Sequence, residues 1–283
     1  LNGEIIMKVN SSRVKAKKES MSTEIGLDDS EVKDPLFVTA LARGLDILRC
    51  FTPEREVLGS REIARLTGLP QPTVWRLCHT LLKLGYLVPD MTPNKLRVGS
   101  GVLLLGHAAI TRTGLSAFAL PLMRQVAERH KISVTLAERN GTDMLILQRI
   151  EVPSMLTLNL HVGTNLDLGN SSLGWTYLCA VDAATRDAAL KQLKKRDPEG
   201  FDKIRLDLAI ATKEFAQWGF VFNLGRSHPD INAVGVPVIS PDGKKVMALT
   251  SGGAKTSVTK TKLQNEVAPA LKELALGLSP MLS

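Results

Sequence analysis

Two prolines, Pro70 and Pro72, open the stretch GLPQPTVWRLCHTLLKLGYL at residues 68–87, and they restrict the fold more than any other feature. Proline lacks a backbone N–H and clashes with the carbonyl four residues before it, so a helix tolerates it only in the first turn. A helix in this stretch must therefore start at the prolines. Val74, Leu77, Cys78 and Leu81 then fall at i, i+3, i+4 and i+7, a single apolar stripe. Gly85 marks the end. The opposite side carries Thr73, Arg76, His79, Thr80 and Lys83, with Trp75 on the flank and no carboxylate. Such a face is either an ordinary solvated surface or one shaped to meet something negative.

The neighbours of this helix narrow the choice. Leu41, Leu45, Leu48 and Phe51 repeat at helical spacing, which predicts a helix over Thr39–Phe51 with Thr39 as N-cap and Pro53 as terminator. A short helix follows over Ser60–Thr67, capped by Ser60, with Glu62 in its first turn, Ile63 and Leu66 inward, and Gly68 just past its end. Beyond Gly85, Tyr86-Leu87-Val88 and Lys95-Leu96-Arg97-Val98 flank the turn residues 89–94 and read as a β-hairpin. Helix, short helix, turn, helix and hairpin is the order of a winged helix-turn-helix.

Charge agrees with that reading. Residues 1–34 hold 6 Lys/Arg against 7 Asp/Glu, residues 35–112 hold 10 against 5, and residues 113–283 hold 20 against 16. The net charge of +8 is thus densest in the middle segment, and a concentrated basic surface attracts polyanions because neutralising phosphates releases counterions. Residues 1–34 read as a disordered tail, in which Met7 and Met21 stand as candidate translation starts. Residues 35–98 form the winged module. Residues 99–113, GSGVLLLGHAAITRT, read as a linker helix whose Val102, Leu103, Leu105, Ala109 and Ile110 are too apolar to face water, so a second copy is expected against it.

Residues 114–283 mix helices and strands. Helices are predicted from about Leu120 to His130, starting near Pro121, and over Leu173–Val181, Ala183–Lys194, Leu206–Trp218 and about Lys262–Leu276. Strands are predicted at Ile132–Arg139 and Met144–Glu151, separated by the hairpin signal Asn140-Gly141, and at Leu156–Val162, Phe220–Asn223, Ala233–Ile239 and Lys245–Ser251. Hairpins with helices on one side imply an α+β domain on an antiparallel sheet.

Several function classes find no support. No apolar run approaches the ~18 residues of a membrane span, and residues 1–34 lack the apolar core of a secretory signal. Cys50, Cys78 and Cys179 are odd in number and widely spaced, which argues for a reducing cytoplasm without a disulfide framework or zinc site. GNSSLG has its second glycine one residue too late for a G-x-S-x-G nucleophile elbow, and no His and Asp partners follow it. His107, His130, His161 and His228 lack the spacing of a helical metal site, and neither a P-loop nor G-x-G-x-x-G occurs. No catalytic residue, metal or cofactor is expected.

The segments TALARGLDILRCF, LGSREIARLTGLPQPTVWRLCHTLLKLGYL, KLRVGSGVLLLGHA, RIEVPSMLTLNLHVGTNLDL and GFVFNLGRSHPDINAVGVPVISPDGKKVMALTSGG together resemble the IclR-type bacterial transcription regulators, over about residues 36 to 280. The resemblance implies a winged-helix DNA-binding domain, a linker helix, and a C-terminal effector-binding domain similar to GAF and PAS modules. It also implies homodimers, often paired into tetramers, that control catabolic or stress genes, many of them sensing small organic or aromatic acids. The chain departs from that pattern at LDLGNSSLGWTYLCA, residues 166–180: the usual proline is missing, and Trp175 follows Gly174 where a cation is common.

The candidate DNA readers are Gln71, Thr73, Arg76, His79, Thr80 and Lys83. A hydroxyl or amide can bond phosphates or base edges, an arginine can take both guanine acceptors, and a lysine suits phosphate as a point charge. Arg43, Arg61, Lys95 and Arg97 are candidate phosphate contacts; Trp75 either packs on a neighbouring helix, the preferred reading, or wedges beside a sugar. In the C-terminal domain Asn170, Ser171, Ser172 and Gly174 stand at a predicted helix N-terminus. Free amides and the dipole there favour a carboxylate, although plain capping by one serine needs no ligand. Asn232, Thr250 and Ser251, near later strand ends, complete the effector candidates. The expected function is a ligand-responsive regulator on a near-palindromic double-stranded operator. The alternative is a metabolite sensor whose helix-turn-helix contacts protein instead of DNA.

Overall fold

A computed structural model describes residues 35–52, 54–111, 115–153 and 160–282. The expected tail 1–34 lies outside them. The chain divides into two compact units, Leu1–Ala108 and Ala109–Ser283.

The first unit runs α1 (Thr39–Arg49), β1 (Val57–Gly59), α2 (Ser60–Thr67), α3 (Gln71–Lys83), β2 (Leu87–Pro89), β3 (Lys95–Val98) and the start of α4 (Gly101–Thr111). Its strands form an antiparallel sheet in the order β1-β3-β2, with Leu58 opposite Leu96 and Val88 opposite Arg97. The sequence predicted the hairpin but not β1, which at three residues is too short to display alternation. The core gathers Ile47 from α1 and Cys50 just past its end, Ile63 from α2, and Val74, Cys78 and Leu81 from α3 under Leu58 and Leu87.

Three local expectations need correction. The buried face of α1 runs through Ile47 and Cys50, leaving Leu41 64% and Leu45 44% exposed; Leu48 and Phe51 lie at its margin. Both stripes have helical spacing, so the position of α3 rather than the period selects between them. Thr39 is the first residue inside α1, after Val38. Ser60 likewise lies inside α2, whose N-cap is Gly59; the Gly59 N–H donates to the Glu62 carboxylate at 2.6 Å. Gly68 closes α2 at φ +68°, a left-handed conformation that glycine adopts without a Cβ clash.

The second unit contains α5 (Leu115–His130), β4 (Ser133–Asn140), β5 (Asp143–Ile150), β6 (Asn165–Asp167), α6 (Ser172–Ala180), α7 (Ala183–Arg196), α8 (Phe201–Trp218), β7 (Val221–Leu224), β8 (Ile231–Ile239), β9 (Val246–Ala254), a short α9 (Lys260–Lys262), a π turn (Leu263–Val267) and α10 (Ala268–Leu278). One antiparallel sheet has the order β6-β5-β4-β9-β8-β7. Helix α5 starts upstream of the expected position and carries Pro121 inside it, and α8 starts upstream of Leu206. Most of the expected strand 156–162 lies outside the described residues; Leu160, His161 and Val162 belong to no strand, and β6 takes the edge position instead.

Helices cover both faces of this sheet, not one. Alternate residues separate the two layers: Leu136, Val236 and Leu249 pack with Met123 of α5 and Leu271 of α10, whereas Ala137 and Ala248 pack with Leu178, Leu193 and Ile204 of α6–α8. The middle of β8 and of β9 is accordingly buried without interruption, as in a sheet covered on both sides. Among the described residues no helix is long and apolar enough to cross a membrane.

Candidate nucleic-acid interface and effector site

Helix α3 owes its placement to the two prolines and to its buried stripe. Pro70 is the N-cap residue and Pro72 lies in the first turn, while Val74, Cys78 and Leu81 anchor the helix in the core. Its outer arc is then forced outward: Gln71, Trp75, Arg76, His79, Thr80 and Lys83 are exposed, and Thr73 is half-buried. Among the described residues neither Arg76 nor Lys83 has an ion pair, and the same holds for Arg43 on α1, Arg61 on α2 and Arg97 on β3, all exposed. The Thr80 hydroxyl donates to the Arg76 carbonyl at 3.1 Å, which leaves its oxygen free to accept.

Two residues on this side differ from expectation. Lys95 is not free: its ammonium lies 2.5 Å from the Glu62 carboxylate, which also receives the Gly59 N–H. The Lys95 ammonium foremost, then the Gly59 amide, hold Glu62 below the usual carboxylate range. The pair ties the wing to the start of α2. Trp75, expected to pack on another helix, is instead 62% exposed and stacks on His79, with ring centroids 5.6 Å apart and planes tilted by 16°.

In the second unit the loop from Asp167 to Ser171 builds the start of α6. One Asp167 carboxylate oxygen accepts the backbone N–H groups of Gly169 and Asn170, each at 2.7 Å, and the Asn170 side-chain amide at 3.2 Å. Its other oxygen pairs with Arg196, which also lies 3.1 Å from Asp143. Burial pushes the Asp143 carboxyl above its usual range, and the Arg196 guanidinium opposes that shift. The Ser171 hydroxyl donates to the Asp167 carbonyl at 2.6 Å and accepts the Gly174 N–H at 3.1 Å. Of the amides considered for an acid, those of Asn170 and Gly174 already have protein partners, a resident carboxylate and a serine cap. Ser172 is the first helical residue, and its carbonyl accepts the Thr176 hydroxyl. Gly174 packs directly on backbone, since a Cβ there would lie 1.8 Å from the Leu168 carbonyl oxygen.

The remaining effector candidates do not converge. Thr250 pairs across the sheet with Gly235 and Thr135 and faces α6, where a Cβ on Gly235 would meet both Thr250 and the Thr176 hydroxyl. Ser251 and Asn232 point to the opposite layer, where Ser251 donates to the Ser133 carbonyl at 2.9 Å and the Asn232 amide to the Val258 carbonyl at 2.8 Å. The α6 face instead collects residues the sequence reading missed. Arg149 donates to the Thr135 hydroxyl at 2.8 Å and lies 3.3 Å from Glu151, while its buried Nε has no partner. Period-two alternation about Thr135 and Thr250 could have pointed to Thr135; nothing local signals Arg149. A groove of about 540 Å³ runs from Arg124, Glu128 and Lys131 to the strand end at Arg149–Pro153, and none of the seven effector candidates lines it.

Trp175, the departure noted in the sequence, is fully buried and donates its indole N–H to the Gly169 carbonyl at 2.7 Å. The Arg226 guanidinium lies 4.3 Å from its ring centroid and pairs with Glu214 at 3.2 Å. A cation thus does stand at this point of the fold, delivered from the loop before β8 rather than from α6. Among the described residues no group of His, Cys, Asp and Glu could hold a metal ion.

A helix-turn-helix head with a winged sheet, followed by a six-stranded α+β domain, defines a DNA-binding transcription regulator with an effector-binding domain. The IclR helix-turn-helix domain matches residues 40–90 and the bacterial transcriptional regulator IclR C-terminal domain matches residues 107–280, so the chain belongs to the IclR family of transcription regulators, which are not enzymes. It is 30% identical over 239 residues to the HTH-type transcriptional regulator TsaQ1/TsaQ2 of Comamonas testosteroni, covering 84% of this chain and 86% of that relative. The crystal structure of an IclR family transcriptional regulator from Brucella abortus superposes with a TM-score of 0.79 at 35% identity, covering 93% of this chain and 99% of that one. An IclR homologue from Microbacterium hydrocarbonoxydans, crystallised with 4-hydroxybenzoate, shares the fold at a TM-score of 0.66 and 24% identity, covering 86% of this chain and 98% of the other.

Proposed function

We propose that the chain controls a catabolic operon in response to a small organic or aromatic acid, with α3 as the helix that enters the major groove. One observation carries the DNA side: the outer arc of α3 exposes Arg76 and Lys83 without a carboxylate partner among the described residues, beside the exposed Arg61 and Arg97. Arg76 reads a base edge; Gln71, Thr73, His79, Thr80 and Lys83 bond neighbouring edges and phosphates; Arg43, Arg61 and Arg97 contact phosphates. Lys95 holds the wing to α2 through Glu62. The exposed run Leu103–Leu105 of α4 supports a second copy, and a homodimer places two α3 helices on a near-palindromic operator.

An acid effector is supported by the 4-hydroxybenzoate bound to the Microbacterium homologue. In this chain the α6 side of the sheet, with Thr250 beside Thr135 and Arg149, is the proposed location. The effector changes DNA affinity only as far as it binds one arrangement of the protein more tightly than another.

The test is anisotropy titration of the full chain against the promoter fragment upstream of its own gene, over a range of salt. Arg76→Ala should weaken binding by at least about 30-fold, the loss of one bidentate base contact in each half-site. Affinity should fall steeply with salt. Unchanged affinity for Arg76→Ala would remove α3 as the reading helix, and a salt-independent complex would favour the protein-contact alternative. Calorimetry with 4-hydroxybenzoate and with short aliphatic acids, on the parent and on Thr250→Val, tests the effector site.

A further inference from the structure

An indole that is 62% exposed stands out on a helix whose other large apolar residues are mostly packed. Trp75 is not loose. His79, one turn later, stacks on one face of the ring, so the side chain is already ordered before any partner arrives. The residue next to it is Arg76, exposed on the same arc. Trp75 and Arg76 are consecutive on the exposed arc, so a groove that receives Arg76 also meets the free face of the indole.

The chemistry of that groove selects the contact. The base edges there present hydrogen-bond donors and acceptors and a single apolar group, the thymine 5-methyl. An indole face has no acceptor to offer and gains by covering apolar surface. Insertion between bases would require unstacking and is chiefly a minor-groove device. It would also break the His79 stack. Resting on His79 and covering a methyl group needs neither change.

We infer that Trp75, supported by His79, is a specificity-determining residue that reads one thymine per half-site through its 5-methyl group. The inference rests on the reading that α3 enters the major groove.

The experiment selects binding sites for the full chain from a random duplex library, then replaces each thymine of the enriched motif in turn by deoxyuridine, which lacks only the methyl. Burying one methyl corresponds to about a fourfold change in affinity. One deoxyuridine position should therefore bind the parent about fourfold more weakly and bind Trp75→Ala no differently from thymine. Tryptophan emission should be quenched when this duplex is added to the parent and not when it is added to Trp75→Phe, in which Trp175 and Trp218 remain. Equal affinity at every thymine, or a deoxyuridine effect that persists in Trp75→Ala, overturns the inference. If Arg76→Ala weakens binding while deoxyuridine does not, Trp75 alone is misread. If no motif is enriched, or Arg76→Ala binds it as the parent does, the reading of α3 fails and the thymine contact with it.

Discussion

Replacing Gly174 by alanine separates two roles for this residue, one that leaves room for a ligand and one that lets backbone meet backbone. The added Cβ would stand 1.8 Å from the Leu168 carbonyl oxygen, 2.5 Å from its carbon and 2.7 Å from its Cα. None of these atoms can rotate away as a flexible side chain would. The first turn of α6 must move by about 1.5 Å to restore ordinary contact, in a core packed as tightly as a molecular crystal. Overpacking alone costs about 1–3 kcal/mol. The same movement strains the Ser171 cap at 3.1 Å and the buried bond from the Trp175 indole to Gly169 at 2.7 Å, each at risk of about 1 kcal/mol. A loss of about 4 kcal/mol follows, or a melting transition lower by about 8–16 °C for a domain of this size. Differential scanning calorimetry reads it directly. Gly44→Ala in α1, where nothing lies within 4 Å of the new Cβ, is the control and should stabilise by about 0.5–1 kcal/mol. A Gly174→Ala protein that melts within about 2 °C of the parent, against the shift scaled above, would refute the close-contact argument and return Gly174 to the ligand candidates.

Two further outcomes follow from ion pairs. Glu62 is held below its ordinary value of 4.5 by Lys95 and the Gly59 amide, so its contribution is full above that pH and is lost as pH falls through the lowered value. Thermal melts should find Glu62→Gln less stable than the parent at pH 7 and indistinguishable from it in strong acid; an equal difference at both would show that charge is not the cause. Asp167→Ala removes the acceptor of two backbone amides and the partner of Arg196, and because the carboxylate is partly exposed the expected cost is about 2 kcal/mol in urea denaturation. A cost below about 0.5 kcal/mol, the scale of an ordinary surface change, would mean that the loop needs no carboxylate.

Local rules located much of the reading helix and the elements around it. Pro70 and Pro72 define where α3 starts, Gly68 where α2 ends, and the Asn140-Gly141 pair where β4 turns into β5, because each acts through its own φ, its missing amide or its immediate neighbours. The exposed arc of α3 was legible for the same reason: a buried stripe at helical spacing leaves only one other side. Ser171 was legible as a cap because capping is a bond over three residues.

The rest depended on what the chain meets across long sequence separations. Two stripes of α1 had helical spacing, and contact with α3 chose Ile47 and Cys50 over Leu41 and Leu45. Strand β1 exists because β3 offers it an edge. Whether Thr250 and Ser251 share a site is a question of sheet sidedness, and helices on both faces send them to different layers. The same holds for the charges: Lys95 is engaged by Glu62, 33 residues away in sequence, and Arg226 covers Trp175 from another loop. The sequence by itself determined the elements and the chemistry available on α3. Only the tertiary structure decided which of those groups are already paired and which face outward, because pairing and burial belong to contacts that no local period records.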